Sequence, residues 1–338
     1  MDALNVLVLT PAFDRAFPHA DEECLNLIRN AVPDIKATDG SALLAREMQG
    51  DAEATRKLDA LLAEADILFG FIPPQDLIRR GPKVKWLQVT SAGVDRLIRH
   101  EVWNSSIMIT GVSGIHATAI SEFVLGTMLM FAKGALHSFE NMQKHEWGRY
   151  MSTVLHGRTV GIVGLGNIGR EIARLAKAFD MRVIATCRSI KKAGKARNVD
   201  VLLPQKDLKL LLAESDYVAL AVPLTHDTQN LIGEAELKAM KPTAYLINIA
   251  RGGVIDENAL NKALKNKQIA GAGLDVTARE PLPADSPLWD LDNVILSPHV
   301  SGGMEDYMLR ATELFCENLK RRHQGKKLLN VVRRKRGY

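Results

Sequence analysis

Residues 159–170, near the middle of the chain, constrain the fold more than any other stretch; they read TVGIVGLGNIGR. A run rich in β-branched side chains leads into the spacing Gly164-x-Gly166-x-x-Gly169, and apolar residues then recur at helical intervals. This pattern predicts a strand, a tight turn and a helix. In such a unit the glycines permit the turn, the approach of a pyrophosphate and close packing of the helix on the strand. We therefore predict that a dinucleotide binds at the helix N-terminus, against Gly164, Leu165, Gly166, Asn167, Ile168 and Gly169.

The end of the next predicted strand, 182–186, indicates which dinucleotide is bound. An NAD site places Asp or Glu at this point to bind the ribose 2′-hydroxyl. This chain instead has Cys187, Arg188 and Ser189, with two lysines just beyond them. A guanidinium, a hydroxyl and two ammonium groups would attract a 2′-phosphate, whereas a carboxylate would repel it. We predict that NADP(H) is preferred over NAD(H), the alternative being that these residues form only a solvated basic loop.

Size and composition limit the classes of protein to which the chain can belong. Its 338 residues suffice for two domains, at roughly 100–200 residues each. With 46% apolar and 25% charged residues and a net charge of +5, the composition is that of an ordinary soluble protein. The basic run at 333–336 is short, so we do not expect nucleic-acid binding. The longest apolar stretch, 123–132, is shorter than a membrane span. The three cysteines are widely separated, which favours reduced thiols in the cytoplasm and no metal site.

Short apolar runs alternate with amphipathic segments in both halves of the chain. Residues 4–110 contain predicted strands at 6–9, 67–71, 86–89 and 107–110, with helices at 21–31, 41–49, 55–62 and 94–99. Six more strands follow, at 160–163, 182–186, 217–220, 244–248, 273–276 and 294–297. This alternation predicts an α/β protein with parallel sheets covered by helices. The dinucleotide motif on the first of the six strands predicts a doubly wound, Rossmann-type domain.

Three polar side chains follow the ends of the last three predicted strands. Arg251 comes after 244–248, Glu280 after 273–276 and His299 after 294–297. In a doubly wound sheet, ligands lie outside the carboxyl ends of the strands, so an arginine, an acid and a histidine placed there can converge on one cleft. We predict that these three residues are catalytic.

A turn in the first half of the chain is a candidate anion site. Residues 89–95 follow a predicted strand and open a predicted helix, so backbone N–H groups are available for a carboxylate. We predict that Ala92 and Gly93 contribute these groups; a plain strand-to-helix turn is the alternative.

The stretch from His116 to Lys133 has a wide apolar face. Such a helix is predicted to be buried between domains or against a second subunit, and residues 147–150 could extend the same contact. We interpret His116 and His137 as structural or surface residues.

Taken together, the motifs resemble those of the D-isomer-specific 2-hydroxyacid dehydrogenase family over nearly the whole chain. They are found at 91–95, 121–125, 161–169, 223–225, 248–253, Asp275, 280–282 and 298–299. The resemblance implies a Rossmann-type cofactor domain, 104–300, inserted into a flavodoxin-like substrate domain formed by 1–103 and 301–338. It also implies a homodimer built around the helix at about 117–150.

The same resemblance implies roles for individual residues. Arg251 would hold the substrate carboxylate and polarise the carbonyl oxygen, because a planar guanidinium suits a carboxylate. His299 would protonate that oxygen during reduction, and Glu280 would orient the imidazole. The amides of Ala92 and Gly93 would bind the substrate carboxylate. Asp275 would bind the nicotinamide amide, and further cofactor contacts would come from Pro223, Thr228, Ile249, Ala250, His299 and Ser301.

The absence of an acid at Cys187 and Arg188 makes the chain similar to the NADPH-using glyoxylate and hydroxypyruvate reductase-like members. The predicted reaction is hydride transfer between NADP(H) and a 2-ketoacid/D-2-hydroxyacid pair. Two alternatives remain open: a dinucleotide-sensing interaction protein like the corepressors that resemble this family, and an enzyme that oxidises another small anion, phosphite or formate.

Overall fold

The computed structural model describes residues 4–11 and 19–334, and the chain divides into two compact units. The first unit comprises the chain up to Ile115 and the chain from Gly303 onward; the second is His116–Gly302. Only part of the basic run at 333–336 falls within the described residues.

The first unit is built on a five-stranded parallel sheet in the order β2-β1-β3-β4-β5, which is the flavodoxin-like order. Its strands are β1 (Leu4–Leu9), β2 (Ile35–Asp39), β3 (Ile67–Gly70), β4 (Trp86–Val89) and β5 (Met108–Thr110). Its first four helices are α1 (Glu22–Arg29), α2 (Ser41–Glu47), α3 (Ala52–Glu64) and α4 (Leu77–Arg80). Two 3₁₀ helices, Asp95–Arg99 and Glu101–Asn104, follow β4. The central strands β3 and β4 are buried throughout, as expected for a parallel sheet covered on both faces.

The second unit contains an eight-stranded sheet in the order β13-β12-β11-β10-β6-β7-β9-β8. Its strands are β6 (Thr159–Val163), β7 (Arg182–Cys187), β8 (Gly194–Ala196), β9 (Val199–Pro204), β10 (Tyr217–Leu220), β11 (Tyr245–Asn248), β12 (Gly271–Leu274) and β13 (Val294–Leu296). Every neighbouring pair is parallel except β8 and β9. After β6, the chain first forms β7, β8 and β9 on one side of β6 and then β10 to β13 on the other side. The topological switch point therefore lies between β6 and β10. The predicted doubly wound arrangement is confirmed.

Helices cover this second sheet. They are α5 (Ala117–Ala132), α6 (Ala135–Lys144), α7 (Asn167–Ala178), α8 (Leu208–Glu214), α9 (Glu234–Ala239) and α10 (Glu257–Lys265), with 3₁₀ turns at Gln205–Asp207, Gly252–Val254 and Pro287–Asp290. Helix α5 packs into the core through Ile120, Val124 and Met128. Helix α6 is different, because each of its side chains is at least partly exposed.

The long helix predicted around 117–150 is divided and shorter than expected. Gly134, at φ +66°, separates α5 from α6, and α6 ends at Lys144. A Cβ atom at Gly134 would lie 2.6 Å from Cε2 of Tyr150, so the packing of that ring also requires a glycine. Among the described residues no single helix is long and apolar enough to cross a membrane; α5 and α6 meet that test only as a pair bent by 61°.

The chain returns to the first unit through α11 (Tyr307–His323). The ring of Phe315 stacks on Phe69 with centroids 4.8 Å apart and meets the edge of Trp86 at 5.3 Å. Beyond α11, Val331 pairs antiparallel with Thr110 of β5, so the end of the described chain is attached to the sheet edge.

The structure places residues 104–115 with the first unit, not with the cofactor domain as predicted. The reason is strand pairing: β5 pairs with β4 of the first sheet, with Ile109 opposite Leu87. At the other end the division falls after Gly302, two residues later than the predicted boundary at 300.

Candidate active site

The glycine motif forms the predicted turn between β6 and α7, and each glycine has a distinct reason to be there. Gly164 has φ +102°, and a Cβ atom on it would lie 2.6 Å from the carbonyl oxygen of Ala221. A Cβ atom on Gly169 would lie 2.1 Å from the carbonyl oxygen of Gly164, so the helix packs directly on the turn. At Gly166, among the described residues, no atom beyond those of Gly166 and its two chain neighbours lies within 4 Å of the added Cβ position. The backbone at Gly166, which precedes α7, is therefore open to a pyrophosphate, and this region fits a dinucleotide.

The loop after β10 lies against this turn. A Cβ atom on Gly164 would be 2.7 Å from Cγ1 of Val222. The buried Thr228 hydroxyl donates to the carbonyl of Pro223 at 2.6 Å and accepts from the N–H of Thr225 at 2.8 Å. Thr228 thus fixes the shape of the loop next to the glycine turn, while a direct cofactor contact by Pro223 or Thr228 stays a prediction.

The end of β7 presents the residues that were predicted to select the dinucleotide. Cys187 is the last residue of β7, and its Sγ lies 3.1 Å from the hydroxyl of Ser189. Arg188 and Ser189 are exposed. Residues 187–198 contain five basic residues and no acid. The next carboxylate, Asp200, is bound to Lys177 at 3.0 Å. A 2′-phosphate at this strand end would therefore meet positive charge in the adjoining loop.

Arg251 lies in a loop held by Asn248, the last residue of β11. The buried Asn248 side chain accepts from the N–H of Ala250 at 3.0 Å and donates to the carbonyl of Arg251 at 3.0 Å. Ile249 and Ala250 are buried. The Arg251 guanidinium donates to the carbonyl of Ala250 at 2.8 Å. Asn248 was part of the sequence motif, but only the structure shows that its side chain holds the Arg251 loop in place.

The Arg251 loop is in direct contact with the loop after β12, which carries Glu280. A Cβ atom on Gly252 would lie 1.9 Å from the carbonyl oxygen of Thr277. Thr277 in turn donates its N–H to Oε1 of Glu280 at 3.3 Å. The structure therefore brings the predicted Arg251 and Glu280 onto adjoining loops at the carboxyl ends of β11 and β12.

His299 and Glu280 form a hydrogen-bonded pair, with Nδ1 of the imidazole 2.8 Å from Oε2 of the carboxylate. An ionised carboxylate only accepts hydrogen bonds, so Nδ1 carries the proton and donates. The side chains of His299 and Glu280 are 42% and 35% exposed, so a small molecule can approach the ring. The other ring nitrogen, Nε2, is then the one available to exchange a proton with a bound substrate.

Asp275 holds the loop that carries His299. Its side chain accepts from the Ser297 hydroxyl at 2.7 Å and from the N–H groups of Val300 at 2.8 Å and Ser301 at 3.1 Å. Its carbonyl accepts from the N–H of His299 at 2.8 Å. Residue 275 is only 1% exposed. The structure thus gives Asp275 a positioning role within the protein; its contact with the nicotinamide amide, and that of Ser301 with the cofactor, stay predictions.

The loop with Ala92 and Gly93 belongs to the first unit. The Ser91 hydroxyl donates to the carbonyl of Gly93 at 2.8 Å, and the Tyr307 hydroxyl donates to the carbonyl of Thr90. Burial raises the pKa of Tyr307 to about 12, which keeps this phenol protonated as a donor. The helix predicted after the loop, 94–99, is a 3₁₀ helix, Asp95–Arg99. Any anion binding here therefore depends on the loop amides themselves, and an α-helix N-terminus does not contribute.

Of the two histidines interpreted as structural or surface residues, His137 is exposed on α6. Its ring meets the edge of Tyr150, with centroids 4.7 Å apart. His116 lies directly before α5, within the second unit.

Comparison with known proteins identifies the family. Residues 125–301 match the model of the D-isomer specific 2-hydroxyacid dehydrogenase NAD binding domain. The glyoxylate reductase of Korarchaeum cryptofilum is 36% identical over 250 residues, covering 72% of this chain and 74% of that protein. That of Aeropyrum pernix is 34% identical over 283 residues, covering 80% and 84%.

Solved structures agree with the sequence relatives. A D-isomer specific 2-hydroxyacid dehydrogenase from Xanthobacter autotrophicus Py2, in complex with NADPH and MES, has a TM-score of 0.82 at 27% identity and covers 99% of this chain and 100% of that one. An NADPH-dependent glyoxylate/hydroxypyruvate reductase from Sinorhizobium meliloti, in complex with NADP and sulfate, has a TM-score of 0.82 at 26% identity and the same coverage. The motifs, the two largely parallel sheets and these likenesses agree, and the chain belongs to the D-isomer specific 2-hydroxyacid dehydrogenase family.

Proposed function

We propose that this protein is a cytoplasmic NADPH-dependent reductase of small 2-ketoacids, with glyoxylate, hydroxypyruvate or a related acid as substrate. The observation that carries the proposal is the His299–Glu280 pair, 2.8 Å apart, together with the contact between the Glu280 loop and the Arg251 loop. A hydrogen-bonded acid–base pair and an arginine on an adjoining loop, in a unit with a dinucleotide turn, are suited to reducing a carbonyl next to a carboxylate.

Each residue has a definite task in this reaction. The Arg251 guanidinium binds the substrate carboxylate and polarises the carbonyl oxygen. The protonated imidazole of His299 gives its Nε2 proton to that oxygen, and Glu280 holds the ring by its Nδ1 proton. The amides of Ala92 and Gly93 bind the substrate carboxylate. The hydride for the carbonyl carbon comes from the reduced nicotinamide when it is bound. In the reverse direction His299 acts as the base.

The basic loop after β7 supports NADPH over NADH. Arg188 would bind the 2′-phosphate, assisted by the Ser189 hydroxyl, and no carboxylate in 187–198 opposes it. The glycine turn would hold the pyrophosphate at the N-terminus of α7. Ile249, Ala250 and the loop from Pro223 to Thr228 would line the rest of the cofactor site.

The proposed reaction is tested by following loss of reduced-nicotinamide absorbance with NADPH and NADH in parallel, against glyoxylate, hydroxypyruvate, pyruvate and bulkier 2-ketoacids. We expect turnover with NADPH well above that with NADH. If no ketoacid is reduced and phosphite or formate is oxidised instead, the substrate of this site is another anion. If the protein is inactive on all of these compounds and binds a stoichiometric protein partner only when a dinucleotide is present, it is a dinucleotide sensor.

Replacing Arg188 with aspartate is expected to lower the preference for NADPH over NADH by about 10- to 100-fold, expressed as the ratio of the two kcat/KM values. A charge-assisted hydrogen bond is worth about 1.5–3 kcal/mol, and the new carboxylate would also repel a 2′-phosphate. Lys265→Asp is the matched control, because Lys265 is exposed at the end of α10, just before β12 begins and hence at the amino ends of the strands. An unchanged ratio in R188D would mean that the loop is only solvated.

We also propose that the protein is a homodimer. Large apolar side chains are exposed on α6 and the segment after it; they are Phe139, Met142, Trp147, Met151 and Val154. Trp147 and Met151 are each 95% exposed. Leaving these large apolar side chains in water costs free energy. The natural cover for such a surface is the same surface of a second copy, because a two-fold interface is self-complementary.

Replacing both Trp147 and Met151 with glutamate is expected to raise the dimer dissociation constant by about 100-fold or more, since a buried tryptophan is often a dominant interface residue. Sedimentation velocity over a concentration series measures this constant. Trp289→Glu, at a partly exposed tryptophan outside the patch, should leave it unchanged. A wild-type protein that sediments as a monomer of 37.2 kDa at all concentrations would contradict the proposal.

A further inference from the structure

The loop after β4, which carries the proposed substrate amides, has three of its carbonyl groups bound within the first unit. The carbonyl of Thr90 accepts from the hydroxyl of Tyr307, the first residue of α11. The carbonyl of Ser91 accepts from the N–H of Val112 at 3.2 Å. The carbonyl of Gly93 accepts from the Ser91 hydroxyl at 2.8 Å. Two side-chain hydroxyls and one backbone N–H therefore hold this loop.

These bonds fix the direction of the two amides. A trans peptide unit is planar and its N–H points away from its C=O, so binding a carbonyl also orients the N–H of the next residue. The bond from Val112 to Ser91 thus orients the N–H of Ala92 directly. The N–H of Gly93 lies in the following peptide unit, between that fixed unit and the one whose carbonyl the Ser91 hydroxyl binds. The Tyr307 hydroxyl fixes the peptide unit that precedes both amides.

The two amides are open to a ligand. Ala92 is exposed and Gly93 is partly exposed. Within the described part of the chain, the N–H groups of these two residues donate to no protein group. An N–H whose direction is set before the ligand arrives binds a carboxylate at a lower entropic cost than one on a mobile loop. The loop after β4 is therefore preorganised for an anion.

We propose that Tyr307 and Ser91 are positioning residues, whose hydroxyls hold the loop after β4 in the form that presents its two amides to the substrate carboxylate. The inference rests on the proposed reduction of a 2-ketoacid. Both hydroxyls act through the carbonyls that they bind, and not by contact with the reacting atoms. Tyr307 lies 217 residues after Thr90, so no local pattern in the sequence indicates its role.

Removing either hydroxyl should weaken substrate binding and leave turnover at saturation nearly unchanged. The loop amides bind the carboxylate equally in the ground state and in the transition state, so a misplaced loop raises KM without lowering kcat. A hydroxyl needed only for stability would instead lower the melting temperature and leave KM at its wild-type value.

The experiment measures KM and kcat for glyoxylate with saturating NADPH, the dissociation constant of NADPH by fluorescence, and the dissociation constant of oxamate, a carboxylate analogue of a 2-ketoacid, on the enzyme–NADPH complex. In Tyr307→Phe, which keeps the ring, we expect KM and the oxamate constant to rise together by about ten-fold, with kcat and the NADPH constant unchanged within about two-fold. In Ser91→Ala the same two constants should rise by about three- to ten-fold. The double variant should raise KM by less than the product of the single effects, because both changes loosen one loop.

Tyr217→Phe is the matched control. Tyr217 is a buried phenol, 3% exposed, and is the first residue of β10, so it lies at the amino end of its strand. Removing its hydroxyl should alter the melting temperature at most, and KM and oxamate affinity should stay at their wild-type values.

If Tyr307→Phe does not fold, Ser91→Ala decides the inference, because it alters the same loop and leaves the aromatic ring in place. Wild-type protein that reduces glyoxylate, with each folded variant at these two positions at wild-type KM and oxamate affinity, overturns the positioning role alone. Wild-type protein that neither reduces a 2-ketoacid nor binds oxamate overturns the proposed function, and the positioning role with it.

Discussion

Replacing His299 with glutamine is expected to lower kcat for glyoxylate reduction by about 100- to 10,000-fold, the range typical for removal of a positioned general acid. Glutamine keeps polarity and much of the volume, but its amide does not give up a proton at neutral pH. Glu280 orients the imidazole through its hydrogen bond and does not transfer the substrate proton, so Glu280 does not replace the lost proton donor. Steady-state kinetics with saturating NADPH and glyoxylate measures the loss.

The same variant should bind NADPH with nearly wild-type affinity, because the glycine turn and the loop after β7 are unaltered. His323→Gln is the matched control, since His323 is exposed at the end of α11 in the first unit. It should retain full kcat. If H299Q kept kcat within about ten-fold of wild type, another group would have to be the proton donor.

Replacing Gly169 with alanine is expected to destabilise the second unit by about 3 kcal/mol, because the new methyl carbon would lie 2.1 Å from the backbone oxygen of Gly164. A backbone oxygen in a tight turn has little room to move, so α7 must shift away from β6. For a unit of this size the melting temperature should fall by roughly 6–12 °C. Differential scanning calorimetry of the full chain gives the value.

Gly166→Ala provides the matched comparison within the same motif. Among the described residues nothing lies within 4 Å of the added carbon, so stability should change by less than about 0.5 kcal/mol. The methyl would instead intrude where a pyrophosphate approaches the backbone, and the dissociation constant of NADPH should rise about ten-fold or more. Equal melting temperatures for the two variants would contradict this division of roles between the two glycines.

Local pattern was sufficient to predict most of the second unit. The predicted strands 160–163, 182–186 and 217–220 correspond to β6, β7 and β10 within one or two residues. Burial explains this, because strands covered on both faces must be nearly continuous apolar runs and the pattern is visible in the sequence. The glycine turn was equally predictable, since close backbone contact restricts the residue type itself.

Edge elements were missed for the complementary reason. Strand β2, with the sequence IKATD, buries only its central residue, and the β8–β9 hairpin lies at the other sheet's edge. Pairing makes these segments strands, β2 with β1, β9 with β7 and β8 with β9; their own composition does not. The assignment of 104–115 to the wrong unit has the same origin, because β5 is defined by its pairing with β4.

The sequence by itself determined the fold class, the dinucleotide turn and the placing of Arg251, Glu280 and His299 after strand ends, because each depends on residue type and spacing along the chain. Only the tertiary structure decided that His299 meets Glu280, that Asp275 and Asn248 hold the loops of His299 and Arg251, and that His116 lies against Gly302. Except for the hydrogen bonds of Asn248, which join neighbouring residues, these contacts join segments well separated in sequence. Their geometry is set by how strands are ordered in the sheet and how closely backbones approach, and neither is encoded in any one local pattern.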